Sequence, residues 1–481
     1  MRTRMRFDDA VWEYSEAMQD AWVHELFKEE TLRAIGGLIV KHRGGGVPVE
    51  LCDANAGASN VCFRMKFKDG GSTLIRFPKP GATMFAEEQV RIEVEVMRYI
   101  RQHTTIPVPL VVHWGTSEEN PLGLGPFIVM EYVDHEMDLS DALNTPGLAI
   151  QDRPILDPDI DEARLELLYA QCADVLLQLS TLRLPRIGSV VLVGDGSKDN
   201  WEVAQRPLSY GANELVRLGT LPRSKLPHPD ETFTSASTYL NALADLHLAH
   251  LIHQRNDAVD SADDCRRRYI ARLLFCKLAR QGRLTAGGTD LGPFILWCDD
   301  LRPANILINE HLQIAGVVDW EFTYAAPVEF SHAPPWWLLV EQPEYWPEGI
   351  EAWTEAYERR LQTFLKVLRE REDRAIEGGR LQDKDRLSAP MQQSWESGDF
   401  WVMYAARKSF AFDAVFWKKI DARFFGPVGL GCSEDDRWKE RIQLLSEDER
   451  ASMEEVVAKK MEEMTTRVLA WDCEEAVVKK G

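Results

Sequence analysis

The sequence predicts an α+β fold of two lobes: a small antiparallel-sheet lobe over residues 49–133 and a larger, mainly helical lobe over 134–481, preceded by a helical extension at 1–48. Three observations predict it. Residues 49–133 consist of short apolar-alternating runs with one helical pattern among them, enough for a small sheet carrying one helix. Beyond Asp134 the pattern turns to long amphipathic helices. The 481 residues are 45% hydrophobic and 28% charged, the balance of a folded globular chain, which excludes wholesale disorder and fibrous structure.

The elements follow in order. Residues 8–42 carry helical spacing, with Val11, Met18, Trp22, Leu26, Leu32, Ile35 and Ile39, and Gly44-Gly45-Gly46 breaks it. Val47 to Leu51 leads into a turn from Ala54 to Asn60. Val61 to Phe67 alternates apolar and polar residues, Asp69-Gly70-Gly71 is a hairpin turn, and Thr73 to Phe77 is the returning strand, ended by Pro78, Pro80 and Gly81. Glu87 to Ile100 is a helix. Val108 to Trp114 is a strand with prolines 107 and 109 at its start, and Phe127 to Val133 is a buried strand entering the linker Asp134-His135-Glu136. Helical patterns follow at 163–182, 234–251, 266–284, 352–371 and 448–470, with short apolar runs around a polar loop between 291 and 320. The most polar insertions are 149–162 and 194–232, and the charge-rich 372–387 reads as an exposed excursion. There is no internal repeat.

Lysine plus arginine total 56 against 77 aspartate plus glutamate, a net charge of −21. A chain this acidic repels phosphate backbones, which argues against nucleic-acid binding, while an acidic cleft would favour a cationic partner. No run approaches the roughly 18 apolar residues of a membrane span. Arg2, Arg4 and Arg6 are followed by Phe7-Asp8-Asp9, not by the apolar stretch of a secretory signal, so the basic start reads as a solvated terminus. The cysteines at 52, 62, 172, 265, 276, 298, 432 and 473 form no C-x-x-C pair and read as reduced, which places the protein in the cytoplasm. Ten of the 15 tryptophans lie from 320 onward. They read first as a helical core and second as an aromatic box for a cationic substrate.

Chemistry concentrates in Leu296-Trp297-Cys298-Asp299-Asp300-Leu301-Arg302-Pro303-Ala304-Asn305-Ile306-Leu307-Ile308 and in Val317-Val318-Asp319-Trp320-Glu321. Apolar strand-like runs flank each acidic group and hold it at a strand end. Asp300, Asn305 and Asp319 supply the oxygen-bearing groups that phosphoryl transfer needs: one carboxylate to take the proton of an attacking hydroxyl, one amide oxygen and one carboxylate to hold magnesium against phosphates.

The D-L-R-P-A-N-I-L-I run followed by V-V-D-W-E resembles the aminoglycoside phosphotransferase and choline kinase family, which has a protein-kinase-like fold. Further stretches occur in the order of its fungal-type members: Leu74 to Gly81, Ile106 to Pro109, Phe127 to Tyr132, Arg186 to Ser189, Gln254 to Asp257 and Ser331 to Trp337. The resemblance covers almost all of residues 49–430. It implies ATP and Mg2+ as cofactors and a hydroxyl on a small molecule as acceptor. It implies Asp300 as catalytic base, Asn305 and Asp319 as magnesium ligands, Arg302 near the transferred phosphate and Glu321 as a second acid beside the metal. Arg76 matches the phosphate-anchoring lysine, with Glu93 as its helix partner. The turn from Asn55 to Asn60, with Gly57, Ser59 and Asn60, matches the phosphate-covering loop, and Glu131 to Val133 the hinge that meets adenine.

Two departures stand out. Arg76 replaces lysine, which keeps the charge on a wider, forked group. Cys298 replaces a histidine that braces the catalytic loop; as a nucleophile it lacks a flanking base. Three functions compete: a small-molecule kinase, a protein kinase, and a catalytically weak kinase-like binding or scaffold protein. Pro327-Val328-Glu329 follows Asp319 after only eight residues, leaving no room for the peptide-docking segment of a protein kinase. The sequence therefore favours an ATP-dependent phosphotransferase acting on a small molecule, with the scaffold as the alternative.

Overall fold

A computed structural model describes residues 4–149, 152–193, 200–285, 288–427, 433 and 436–470. Arg2, Cys432, Trp471, Cys473 and the parts of the two polar insertions at 150–151 and 194–199 lie outside the described residues.

The helical pattern of residues 8–42 resolves into two helices, α1 (Asp9–Leu26) and α2 (Glu29–Arg43), separated at Phe27-Lys28. Asp8 caps α1 by accepting from the N–H groups of Ala10 and Val11. Gly44, at φ 79°, ends α2 in the left-handed conformation. Strands β1 (Pro48–Leu51), β2 (Asn55–Ala56), β3 (Asn60–Phe67) and β4 (Ser72–Pro78) precede helix α3 (Ala86–His103), followed by β5 (Val111–Gly115) and β6 (Phe127–Glu131). The sheet is antiparallel in the order β1-β3-β4-β6-β5, with β2 on β3.

Alternation decides which face each residue serves. Val61, Phe63, Met65, Ile75, Phe77, Phe127 and Val129 point to one face and join Leu26, Ile35, Leu38 and Ile39 of the first two helices in a core of their own. The opposite parity of β4 and β6, with Leu74, Ile128 and Met130, meets α3 and the main core. Arg76 lies between Leu74 and Pro78 on this second parity. It pairs with Cys62 and Ile128 across the sheet and so faces α3 and the cleft.

The second lobe continues with β7 (Met137–Asp138), α4 (Leu139–Leu143), α5 (Glu162–Ser180), β8 (Arg183–Leu184), β9 (Ser189–Val193), β10 (Asn200–Gln205), α6 (Tyr210–Gly219), α7 (Ala236–His253) and α8 (Ala262–Arg280). Then come β11 (Phe294–Cys298), β12 (Ile306–Ile308), β13 (Ile314–Val317), β14 (Thr323–Ala326), α9 (Val328–His332), α10 (Ile350–Glu377), α11 (Ser388–Ser397) and α12 (Asp399–Arg407), with a last long helix at Glu447–Glu463. Two small antiparallel sheets, β14-β11-β8 and β13-β12-β7, carry the segment from Asp299 to Glu321.

The structure corrects three expectations. The polar insertion at 194–232 contains α6, whose buried Ala212, Leu215, Val216 and Leu218 were masked by polar neighbours. The excursion at 372–387 is anchored: Glu372 is fully buried and accepts from the N–H groups of Leu387 and Ser388 and from the Ser388 hydroxyl. The N-terminus is not solvated over its described part. Met5 is buried, the Arg6 carbonyl accepts from Gln254, the Arg4 guanidinium lies 4.4 Å from the Tyr345 ring, and both Asp8 oxygens bind Asn256. The tryptophans behave mainly as core. Trp353 stacks on Tyr357 at 4.4 Å and packs edgewise on Trp401 at 5.6 Å. Trp336 is only half-buried.

Candidate active site

Strand β11 ends at Cys298 and delivers two consecutive aspartates with opposite assignments. Asp299 turns inward. It accepts from Trp297 Nε1 at 2.8 Å, from the Tyr324 hydroxyl at 3.2 Å and from the Tyr210 N–H at 3.2 Å, while its own N–H donates to the Phe322 carbonyl. It thereby fastens the start of α6 and the segment after Asp319 to the catalytic strand. Asp300 turns to the cleft. Its Oδ1 pairs with Arg302 Nε at 3.0 Å and its Oδ2 accepts from Asn305 Nδ2 at 3.2 Å. Burial pushes the Asp300 carboxyl up, and Asp319 pushes the same way, while Arg302 and Lys408 oppose them.

Asn305 closes the turn at Pro303–Asn305. Its Nδ2 also donates to the Asp300 carbonyl at 2.8 Å, so its Oδ1 is the atom left for a cation. Its own carbonyl accepts from Val318 N–H, which seats the Asp319 loop on the catalytic loop. Asp319 sits at φ 62° and Phe322 at φ 59°, in the left-handed region. A short polar side chain tolerates that region better than a branched one, and such strain aims Asp319 into the cleft.

Arg76 joins the lobes. One arm, Nη1, donates to Asp319 Oδ1 at 3.1 Å; the other, Nη2, donates to Glu93 Oε2 on α3. Asp319 keeps 26% of its side chain exposed while Glu93 keeps 1%, so the former is open to a ligand and the latter is a fixed counter-ion. Gln89, one turn before Glu93, donates its Nε2 to Glu321 Oε2. Glu321 is buried, and burial together with Asp319 raises its pKa to about 8. It stands beside Asp319 as a buried acid held by Gln89. No group of three or more His, Cys, Asp or Glu side chains suited to a metal occurs among the described residues. The Asn305–Asp319 pair alone is too sparse to hold an ion without a partner oxygen.

The phosphate-loop candidates lie where β2 turns into β3. Gly57 N–H donates to the Asn60 carbonyl at 3.0 Å, Lys79 Nζ reaches the Gly57 carbonyl at 2.5 Å, and the Ser59 carbonyl accepts from Lys79 N–H at 2.8 Å. Lys79 therefore clamps the loop, a contact the sequence reading missed. Asn60 is buried beside Glu321 and holds its carboxyl down slightly. At the linker, the N–H groups of Glu131 and Tyr132 donate to the Leu110 and Ser72 carbonyls, and the Val133 carbonyl accepts from His135 Nδ1. Val133 packs over Gly316, where a Cβ would stand 2.9 Å from its Cγ1. Cys298 is buried and its thiol is pushed far up by burial; Sγ lies 3.7 Å from the Glu321 carbonyl. It braces the loop weakly and is no nucleophile.

The residue order around this cleft is also that of a known family. The family model described as the phosphotransferase enzyme family matches residues 50–366. The chain belongs to that family. The chain is 25% identical over 291 residues to the clavilactone A biosynthesis cluster protein Y of Ampulloclitocybe clavipes, a match that takes in 59% of this chain and 62% of the relative, less than two thirds of its length. Among solved structures it is similar to a Plasmodium vivax ethanolamine kinase, with 12% identity, TM-score 0.42 and coverage of 88% and 91% of the two chains. It is also similar to an amicoumacin kinase in complex with AMP-PNP, Ca2+ and Ami, with 12% identity, TM-score 0.39 and coverage of 94% and 100%. A macrolide 2′-phosphotransferase from Brachybacterium faecium shows 15% identity, TM-score 0.36 and coverage of 83% and 99%.

Sequence reasoning missed Asp299, Tyr210, Glu214, Gln89 and Lys408 around this cleft. Gln89 had a legible signal, since it precedes Glu93 by four residues on one helix face. The others come together from segments far apart in the chain.

Proposed function

We propose that this chain transfers the γ-phosphate of ATP to a hydroxyl of a small molecule, with Asp300 as base and with Asn305 and Asp319 as magnesium ligands. The observation that carries the reading is the pair of hydrogen bonds donated by Arg76, which ties Glu93 and Asp319 to one guanidinium within the same cleft as Asp300 and Asn305. The residues fit the groups they would hold. Arg76 Nε is buried with no hydrogen-bond partner, a donor left for a phosphate oxygen, and Asp319 is open to the cleft. Magnesium, when bound, neutralises phosphate charge as the bond to the leaving oxygen breaks.

The protein's own residues supply the rest. Asp300 accepts the proton of the acceptor hydroxyl, and its raised pKa makes it a stronger base than a solvated aspartate. Arg302 holds the Asp300 carboxylate in place and brings a positive charge to its side of the cleft for the transferred phosphate. The loop of Gly57, Ser59 and Asn60, clamped by Lys79, covers the phosphates. The linker from Glu131 to Val133 meets the base of the nucleotide. Among the described residues the Val133 N–H donates to no other group, which leaves it for that contact. The six described cysteines are free thiols, which supports a reducing, cytoplasmic setting.

One observation favours the alternative of a catalytically weak binding protein: Arg76 already occupies Asp319, the carboxylate the metal needs. Labelled ATP supplied with a metabolite extract tests both readings. Phosphate transfer to a hydroxyl compound, lost in Asp300→Asn, is the expected result. Absence of magnesium–ATP binding by calorimetry would leave only the scaffold.

A further inference from the structure

We propose that the segment from Arg206 to Asn213 is a bracket between the lobes, and that Arg206 and Asn213 are positioning residues. They hold the phosphate-covering loop and the Arg76–Glu93 pair in fixed register with Asp300. This rests on the phosphotransferase reading above and adds two residues to the same site.

Helix α6 meets both sides of the cleft within its first turn. The Tyr210 N–H donates to Asp299, the neighbour of Asp300, at 3.2 Å. Asn213, three residues on and buried, reaches across to the first lobe. Its Oδ1 accepts from the Met84 N–H at 2.8 Å and its Nδ2 donates to the Ala82 carbonyl at 3.2 Å. A side-chain amide presents a donor and an acceptor side by side, which is what a carbonyl and an N–H two residues apart require. Both groups belong to the connection between β4 and α3, and α3 starts without a capping side chain of its own.

This connection leads directly to the phosphate-covering loop. The Ala82 and Thr83 N–H groups donate to the Lys79 carbonyl at 3.2 and 3.1 Å. Lys79 in turn holds the Gly57 carbonyl with its ammonium and the Ser59 carbonyl with its own N–H. An unbroken series of hydrogen bonds thus runs from Asp299, through α6 and the β4–α3 connection, to the loop.

Arg206 makes a second crossing. It follows β10 directly and is 5% exposed. Its Nε and Nη2 donate to the two Glu88 oxygens at 2.9 and 2.6 Å, and its Nη1 donates to the Pro227 carbonyl at 3.0 Å. Glu88 lies in the first turn of α3, beside Gln89, which binds Glu321, and ahead of Glu93, which binds Arg76. The second lobe therefore holds α3 at its start, before the helix delivers Glu93. A bidentate fork accepts the carboxylate in one orientation, so it fixes the helix along its axis as well as against its neighbour. Arg206 and Asn213 both come from the insertion read as polar, and their polar groups engage the other lobe.

Amide hydrogen exchange on the full chain without ligand tests the bracket, with thermal melting to establish that each variant folds. Asn213→Leu should speed exchange about tenfold in residues 57–60 and 79–85 and leave α10 unchanged, because a buried backbone pair loses its partner. Arg206→Met should do the same at the start of α3, and Arg206→Lys, which keeps one contact to Glu88, should restore most of the protection. Exchange as in wild type in a folded variant, Asn213→Leu or Arg206→Met, overturns the proposal. So does a rise spread evenly over both lobes, the result of a merely structural role. If one of the two does not fold, the other decides. Magnesium–ATP titrated into wild type reports on the phosphotransferase reading separately: no binding there removes that reading, while the exchange pattern still judges the bracket. Where wild type binds, Asn213→Leu should bind about tenfold more weakly, and unchanged affinity overturns the positioning role.

Discussion

Replacing Arg76 with lysine separates an arginine that works on phosphate from one that merely fills the family's lysine position. The guanidinium spans two acids on different lobes, donating one arm to Glu93 and the other to Asp319 at 3.1 Å, and its Nε remains without a partner. A lysine has a single nitrogen at the end of a flexible stem and cannot hold Glu93, keep Asp319 in place and offer a separate phosphate donor at once. Glu93 keeps 1% of its side chain exposed, so the lysine must satisfy Glu93 first, because an unpaired buried carboxylate is the costlier loss. The contact given up is then the one nearer the phosphates. A charge-assisted hydrogen bond is worth about 1.5–3 kcal/mol, which corresponds to roughly 10- to 100-fold in affinity at 1.36 kcal/mol per decade. Isothermal titration of magnesium–ATP into wild type and Arg76→Lys measures that factor directly. Thermal melts run alongside, with Arg76→Met as the variant that leaves Glu93 unpaired and should lose stability. Equal or tighter magnesium–ATP binding by a fully folded Arg76→Lys would refute the reasoning, because the fork would then contribute nothing that a point charge does not.

Three other perturbations have expected outcomes. Asp300→Asn should lower turnover by about 10²- to 10⁴-fold and leave nucleotide affinity nearly intact, since a base acts in the chemical step; single-turnover kinetics beside a binding isotherm check both halves. Asp319→Ala should weaken nucleotide binding in magnesium but hardly in EDTA, and equal affinities in magnesium would remove Asp319 from the site. Glu214, raised to about 7 chiefly by burial, binds its proton more tightly folded than unfolded, so its contribution to stability falls as pH climbs from about 4.5 to about 7. Glu214→Gln should therefore gain melting temperature over wild type progressively across that window, and parallel profiles would contradict the assignment.

Much of the site was legible because its residues are local in sequence. Asp300 and Asn305 share one loop and Asp319 follows just after β13, and their apolar flanks together with the ordered family motifs singled them out. Arg76 and Glu93 were implied by the family resemblance, and the structure pairs them across β4 and α3. What stayed hidden depends on long-range packing. Nothing in Cys298-Asp299-Asp300 distinguishes the aspartate that braces from the one that faces the cleft; the Tyr210 N–H and Tyr324 hydroxyl decide it, 89 and 25 residues away. Helix α6 lay inside a segment read as a polar insertion because its cleft-facing side carries Tyr210, Glu214 and Arg217. A helix that lines a polar site loses the very contrast that periodicity detects. Glu372 was read as exposed for a related reason: a buried acid serving as a cap cannot be told from a surface acid without its partners.

The two departures from the family pattern do not weigh equally once their surroundings are known. Cys298 stands where a histidine would brace the catalytic loop, yet the loop is braced by other groups. Asp299 N–H binds the Phe322 carbonyl, Val318 N–H binds the Asn305 carbonyl, and Trp320 Nε1 binds the Val317 carbonyl at 2.9 Å. These three bonds tie the segment around Asp319 to itself and to the catalytic loop without any contribution from residue 298, so the cysteine gives little support to a scaffold reading. Arg76 is the departure with consequences, because it binds Asp319, the carboxylate proposed to hold magnesium. To serve as a metal ligand Asp319 would have to leave Nη1, and the freed guanidinium arm would then be available to phosphate oxygens. The exchange keeps every charge matched only when ion and nucleotide arrive together. Magnesium alone should therefore bind far more weakly than magnesium with ATP, and that contrast, measurable in one pair of titrations, is what an adapted arginine requires and a relic does not.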